Sequence, residues 1–409
     1  MAEKIVITGL GTVNALGNTV EQTWENIVKG VSGLAPLSLF DTSDYLVKVA
    51  CEAKGFDPGQ YLDAREIRRR DRYELFSAAA VSQAIKHSGL EITEENASRV
   101  GTVISAAIGG ISSLEQGVID IVEGGPRRAS PFLIPMLMPN GAAGLVGIDH
   151  GPRGPALSVA SACASGQDGI GIAWMMLKTG MIDVAVAGAA EAAITRTAVA
   201  AFDRMGAMSR RTEGTPSPFD SHRDGLVIGE GSAVLILETE SHAKARKANI
   251  LAELAGYSAS ADAHHITAPH AEGTGGSQAI INALHGAGIN REDVDYINAH
   301  GTGTVLNDMS ETRAIKTAFG EHAYDVAISS TKSMTGHMMG ATGTLEALLC
   351  VLAIRESILP PTINYVDPDP ECDLDYVPNK AREANLDIAI TNAFGFGGHN
   401  AVLVVRKYS

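Results

Sequence analysis

Apolar residues in this chain come in two rhythms. Short, nearly continuous apolar runs recur along its whole length: "KIVITGL", "RVGTVISAA", "PALSVAS", "MIDVAVAG", "SAVLILE", "ILAELAGYSASA", "VDYINAH", "VAISS", "LDIAITNAFG" and "HNAVLVV". Runs without a polar residue at every second place predict strands covered on both faces. Longer stretches between them predict helices lying on those faces, which makes the fold class α/β. No polar linker or low-complexity tract divides the chain.

The runs also repeat. "PALSVASACASGQDGIGIAWMMLKTG" and "DVAISSTKSMTGHMMGATGTLEALLCVLAI" share one plan: strand, turn of small residues, long Gly/Ala-rich helix. "RVGTVISAA" has a counterpart in "VDYINAHGT", and "DVAVAGAAEA" in "DIAITNAFGFGG". Two similar halves, residues 1–250 and 251–409, would build a pseudo-symmetric α/β/α/β/α protein whose strand ends meet at one site.

Composition changes this picture little. The chain has 409 residues, 45% hydrophobic and 19% charged, with 44 glycines, as suits a globular protein with many tight turns. The longest uncharged run, Ala129 to Ile148, is broken by Pro131, Pro135 and Pro139. It reads as buried chain, since a membrane span of about 20 residues would not be interrupted so often. Four cysteines without C-x-x-C spacing suggest a reducing compartment, and the N-terminus reads as a strand; the expected location is cytoplasmic.

A net charge of −15 argues against nucleic acid as a partner. One segment opposes it, "REIRRRDR", with Arg65, Arg68, Arg69, Arg70 and Arg72. It is either a solvated helix face or a docking patch for an acidic partner.

Candidate chemistry concentrates at four turns. Cys163 in "SACASG" falls where a strand would give way to a helix. Unpaired N–H groups and the positive end of the helix dipole there would favour thiolate, hence a nucleophile. Cysteine is also a common small buried residue, so this turn alone leaves both readings open. "NAHGTGT" places His300 just past a strand, and "STKSMTGHMMGATGTLE" carries Lys332, His337 and Glu346. Two histidines at equivalent exits of a repeat are harder to read as structural than one, because ligands collect at such strand ends. "NAFGFGGHN" sets Phe394 and Phe396 in a glycine-rich turn with backbone N–H groups free to bind an oxyanion.

Other signals fail. "GLGTVN" lacks the third glycine of a dinucleotide fingerprint, and no P-loop occurs. His264, His265 and His270 have no accompanying metal-ligand spacing, and "DPDPECDLD" is not an EF-hand loop.

Taken in order, "SACASG", "NAHGTGT", "KSMTGHMMGATG" and "NAFGFGGHN" resemble the elongating β-ketoacyl-acyl-carrier-protein synthases, particularly the synthase II type of discrete fatty acid synthesis. The resemblance runs from "VITGLGTVNALGN" through "GPRRASPFLIPMLMPN" and "PFDSHRDGLVIGEGSAVLILE" to the end of the chain. It implies a thiolase fold, a homodimer, no cofactor and no catalytic metal. Cys163 would take the acyl group from an acyl carrier protein, and His300 and His337 would bind malonyl-carrier protein for decarboxylation.

The resemblance further implies an oxyanion hole at the N–H groups of Cys163 and Phe396, and a supporting pair Lys332–Glu346 with a possible monovalent cation near Glu346. Thr267, Thr302 and Thr304 would contact the phosphopantetheine arm. Phe202, Phe394 and Phe396 would gate the pocket, and Ile108 would line the acyl tunnel. Arg65, Arg68, Arg69 and Arg204, with Arg127 and Arg128 behind them, would dock the acidic carrier. A thiolase would need a second cysteine in the last glycine-rich turn, and a non-catalytic chain-length partner would lack Cys163. A standalone polyketide ketosynthase is the remaining alternative.

Overall fold

A computed structural model describes residues 3–409. Ten strands form its main sheet: β1 (Ile5–Asn14), β2 (Val100–Ser105), β3 (Ala156–Leu157), β4 (Val184–Glu191), β5 (Gly231–Thr239), β6 (Ala252–Ala261), β7 (Tyr296–Asn298), β8 (Ala327–Ser329), β9 (Ile388–Gly395) and β10 (His399–Arg406). The spatial order is β3-β2-β4-β5-β1, then β6-β10-β9-β7-β8. Each strand of the first set has its counterpart five numbers later. The directions repeat too: β2 is parallel to β3 and β4, as β7 is to β8 and β9. Among the described residues, the sheet ladder joins the two sets at two antiparallel pairs, Val6↔Glu253 and Ile7↔Ala252.

Six longer helices matter here: α1 (Arg72–Ser88), α2 (Ile111–Gly124), α3 (Ser165–Lys178), α4 (Thr274–Ala287), α5 (Val305–Phe319) and α6 (Thr342–Glu356). Helices α3 and α6 pack on each other and on strands of both sets, forming a middle layer. Helix α6, "TGTLEALLCVLAIRE", has apolar residues on every face, which suits a central helix. Every residue from Thr342 to Ile354 is buried. Helix α1 covers β1 and β5 from outside, while α4 covers β6 and β10, with α5 behind it. The layers are therefore α/β/α/β/α.

Helix α1 shows how local sequence sets such an element. Asp71 and Glu74 form a capping box at its start, and Gly89 ends it at φ 60°. It presses closely on β1, where a Cβ at Gly11 would lie 2.0 Å from the Ala80 carbonyl oxygen. Helix–strand packing thus explains the glycine of "GLGTVN".

Two expectations change. "PALSVAS" keeps only Ala156–Leu157 in the ladder, because the chain leaves the sheet early to build the Cys163 turn. The uncharged run 129–148 is not buried chain. It forms two short surface helices, Leu133–Leu137 and Gly141–His150, with Ile134 61% and Ile148 77% exposed. Among the described residues, no helix is long and apolar enough to cross a membrane.

Candidate active site

Cys163 stands on a pinned turn ahead of α3. Ala162 takes φ +52°, unusual for a residue with a side chain. Ser165 Oγ holds this shape, accepting from the Ser161 N–H (2.9 Å) and donating to the Ala162 carbonyl (2.6 Å). The Ser161 hydroxyl donates to Asp168, which also accepts from Tyr257. Strand β9 closes on the turn so tightly that a Cβ at Gly395 would lie 3.0 Å from Cys163 N.

The sulfur is not a resting thiolate. Burial pushes the Cys163 thiol up to about 11, against the Lys332 charge and the backbone N–H groups of Phe396 and of Cys163 itself. Desolvation outweighs the helix terminus here, because Cys163 lies two residues ahead of α3 in a buried site.

His337 Nε2 lies 3.1 Å from Cys163 Sγ, and its Nδ1 is 3.0 Å from Thr342 Oγ1. The His300 ring stands edge-on to it with centroids 5.4 Å apart. Glu311 positions His300 by accepting from the N–H groups of His300 and Gly301, both at 2.7 Å. Burial, and then the Lys332 charge, hold both imidazoles well below the usual histidine range, so both are neutral. Lys332 itself is buried off the cavity, 2.5 Å from Glu346 Oε1, and acts on the site through its field.

A cavity of about 270 Å³ joins Cys163, His300 and His337 to Phe394 and Phe396. Thr267, Thr302, Thr304 and Phe202 also line it. Ile108 does not; like Phe202, it packs against the apolar cluster that holds Met339. Nor do the arginines of residues 65–69 reach the cavity. Arg70 and Arg72 are taken up structurally, by Asp149 (2.6 Å) and Glu230 (2.6 Å), leaving Arg65 and Arg68 exposed. Arg204 is exposed beside the lining residue Met205.

Sequence reasoning missed two carboxylates. Glu191 accepts from the N–H groups of Ala107, Ile108, Gly109 and Gly340, tying the loop after β2 to the His337 segment. Glu311 does the same for the loop after β7. Glu191 left a trace: it is the only charged residue between Val184 and Thr195. Glu311 left none, since its helix carries several charges.

The ligand atoms of Cys163, His300 and His337 lie within 4.8 Å of one another. Separately, Asn298 Oδ1, Asn392 Oδ1 and Glu346 Oε2 are buried without a hydrogen-bond partner.

Comparison with known proteins places this geometry. Residues 2–243 match the family "Beta-ketoacyl synthase, N-terminal domain" and residues 251–366 its C-terminal domain. The chain is 46% identical to a 3-oxoacyl-[acyl-carrier-protein] synthase 2 of Synechocystis, covering 99% of this chain and 98% of the relative. Among solved structures, the ishigamide ketosynthase/chain length factor is 34% identical with a TM-score of 0.94. A ketosynthase bound to a hexaketide, in complex with its type II polyketide acyl-carrier protein, is 33% identical with a TM-score of 0.92. Both comparisons cover 100% of each chain.

Proposed function

Because the chain belongs to the β-ketoacyl synthase family, we propose that it is an elongating 3-oxoacyl-acyl-carrier-protein synthase of thiolase fold, acting in type II fatty acid elongation. The observation that carries this reading is the meeting of Cys163, His300 and His337 in one cavity lined by three threonines.

In the first half-reaction the Cys163 sulfur attacks the acyl-carrier thioester. The carrier thiol leaves with a proton, and the acyl group stays on sulfur. The N–H groups of Cys163 and Phe396 stabilise the tetrahedral oxyanion, a donor of this kind being worth about 10²–10³ in rate. Malonyl-carrier protein then places its thioester carbonyl against His300 and His337. Loss of CO2 leaves an enolate, which the neutral imidazoles stabilise by hydrogen bonding. The enolate carbon attacks the acyl carbonyl, the C–S bond breaks, and the sulfur takes up a proton. The sum is acyl-Cys163 plus malonyl-carrier plus H⁺, giving 3-oxoacyl-carrier, CO2 and free Cys163. Burial, reinforced by the Lys332 charge, keeps both histidines uncharged for this task.

Thr267, Thr302 and Thr304 offer hydroxyls to the pantetheine arm, with Phe202, Phe394 and Phe396 guarding the sulfur. Ile108 borders the acyl end by packing on the cluster whose Met339 lines the cavity. Arg65, Arg68, Arg69 and Arg204 receive the acidic carrier. A monovalent cation beside Glu346 would give a partner to its Oε2, which is buried without one. Four free thiols suit a reducing cytoplasm.

The protein pairs with a second copy of itself. Strand β3 is an open sheet edge, and the exposed apolar residues Leu157, Ile148, Ile134, Val118 and Val122 sit on it and on neighbouring helices that touch one another. A polyketide role is a second reading, favoured by the TM-score of 0.94 to a ketosynthase/chain length factor. The test is a reconstituted reaction of the full chain with acyl- and malonyl-carrier proteins. Wild type should release CO2 and form 3-oxoacyl-carrier, and Cys163→Ala should form none. Activity only with a second, different subunit would favour the polyketide reading.

A further inference from the structure

The three side chains that meet in the cavity also carry a set of donor atoms suited to a chelate. Cys163, His300 and His337 are all buried, each offers one ligand atom, and these atoms lie within 4.8 Å of one another. We propose that this trio is a zinc-class metal site: in the substrate-free enzyme it captures Zn²⁺ as a Cys-His-His chelate and so switches condensation off reversibly.

The fit follows from distances. A tetrahedral zinc with Zn–S about 2.3 Å and Zn–N about 2.0 Å sets its ligand atoms roughly 3.3–3.6 Å apart. Cys163 Sγ and His337 Nε2 are already 3.1 Å apart. Only the arm to His300 must close, by about 1 Å for the longest separation to reach that range. His300 Nδ1 has no hydrogen-bond partner, so turning this ring breaks no bond on that side. His337, by contrast, is steadied through Nδ1 on Thr342, the outer contact that metal-bound imidazoles characteristically make. The fourth position opens on the cavity, which has room for a water.

The donor set selects the ion. A thiolate with two imidazoles suits Zn²⁺ and its softer neighbours, whereas Mg²⁺ and Ca²⁺ take oxygen ligands. Both imidazoles are neutral and surrender no proton. The thiol surrenders one: Cys163–SH plus Zn²⁺ gives a zinc thiolate plus H⁺. The Lys332 charge that disfavours imidazolium also opposes the ion, and its partner Glu346 at 2.5 Å together with the new thiolate offset that opposition. Metal and acyl group then compete for one sulfur. That competition rests on Cys163 being the acyl acceptor; the binding itself does not.

The test uses the full chain, freed of metal, with Co²⁺ as spectroscopic probe, Zn²⁺ by calorimetry and Mg²⁺ as control. One equivalent should bind, releasing one proton and producing a thiolate-to-cobalt charge-transfer band. Zn²⁺ should stop condensation and a chelator should restore it. Cys163→Ser should abolish the band and weaken Zn²⁺ binding at least about 100-fold; His300→Ala, checked for folding by circular dichroism, should weaken it comparably with the thiol intact. No thiolate band in wild type, a band surviving Cys163→Ser, or equal affinity for Mg²⁺ would overturn the proposal. A folded chain that binds one zinc through Cys163 yet condenses nothing would leave the metal site standing and remove the proposed function. An active chain without the band would do the reverse.

Discussion

The two halves of this molecule repeat one scaffold and use it differently. In the first, the turn between β3 and α3 presents Cys163, the loop after β2 carries Ile108, and Glu191 fastens that loop by its backbone N–H groups. In the second, the turn between β8 and α6 presents His337, the loop after β7 carries His300, and Glu311 fastens it in the same manner. The outer edges diverge further. Strand β3 lies open, with Leu157 42% exposed. Its counterpart β8 is buried, and the Ile328 N–H donates to the Asp375 carbonyl of the segment that covers it. Equivalent strand ends meet in one cavity. One half can therefore specialise in holding the acyl group and the other in decarboxylation, while one outer edge stays open.

The strongest way to disturb this arrangement is to unbalance the buried pair that belongs wholly to the second half. Glu346→Ala leaves Lys332 buried and uncompensated, and should cost about 3–5 kcal/mol in chemical unfolding. The replacement of both partners by apolar residues should cost much less.

The two edges separate next. Ile328→Ala on the covered edge should lose about 2–5 kcal/mol of stability without altering assembly. Leu157→Asp on the open edge should shift the protein to monomer by light scattering, with unfolding of the monomer little affected.

The buried carboxylates give a pH signature. Burial pushes the Glu191 carboxyl up to about 7. Between its ordinary value of 4.5 and about 7 the folded chain therefore holds more protons than the unfolded one, and stability should fall as pH rises through that window. Glu191→Gln should flatten that part of the curve. The smallest effect is expected at the nucleophile turn. Ala162→Gly relieves a left-handed residue, worth about 1–2 kcal/mol, but adds glycine's unfolded-state entropy, for a net gain of about 0.5–1 kcal/mol.

The fold was legible because buried strands must be apolar on both faces: all ten apolar runs carry a strand, and the repeat noticed in "SACASG" and "KSMTGHMMG" is the repeat of β3–α3 and β8–α6. Cys163, His300 and His337 were legible as turns of small residues around one reactive side chain. What stayed hidden depends on burial. Glu311 reads like any helix carboxylate until its backbone partners are seen. Cys163 reads as a thiolate until its desolvation is weighed. Arg70 and Arg72 look like docking residues until Asp149 and Glu230 claim them. The run 129–148 looks like core because an exposed apolar surface has the composition of core.

The division of labour between the halves is tested most directly by separating the two half-reactions. Acylation would be followed by the mass of the intact chain after exposure to acyl-carrier protein, and decarboxylation by CO2 release from malonyl-carrier protein. Cys163→Ala should lose acylation and still release CO2, while His300→Ala and His337→Ala should take up the acyl group and lose CO2 release by about 10²–10³. Loss of CO2 release in folded Cys163→Ala, or undiminished release in both histidine variants, would contradict it.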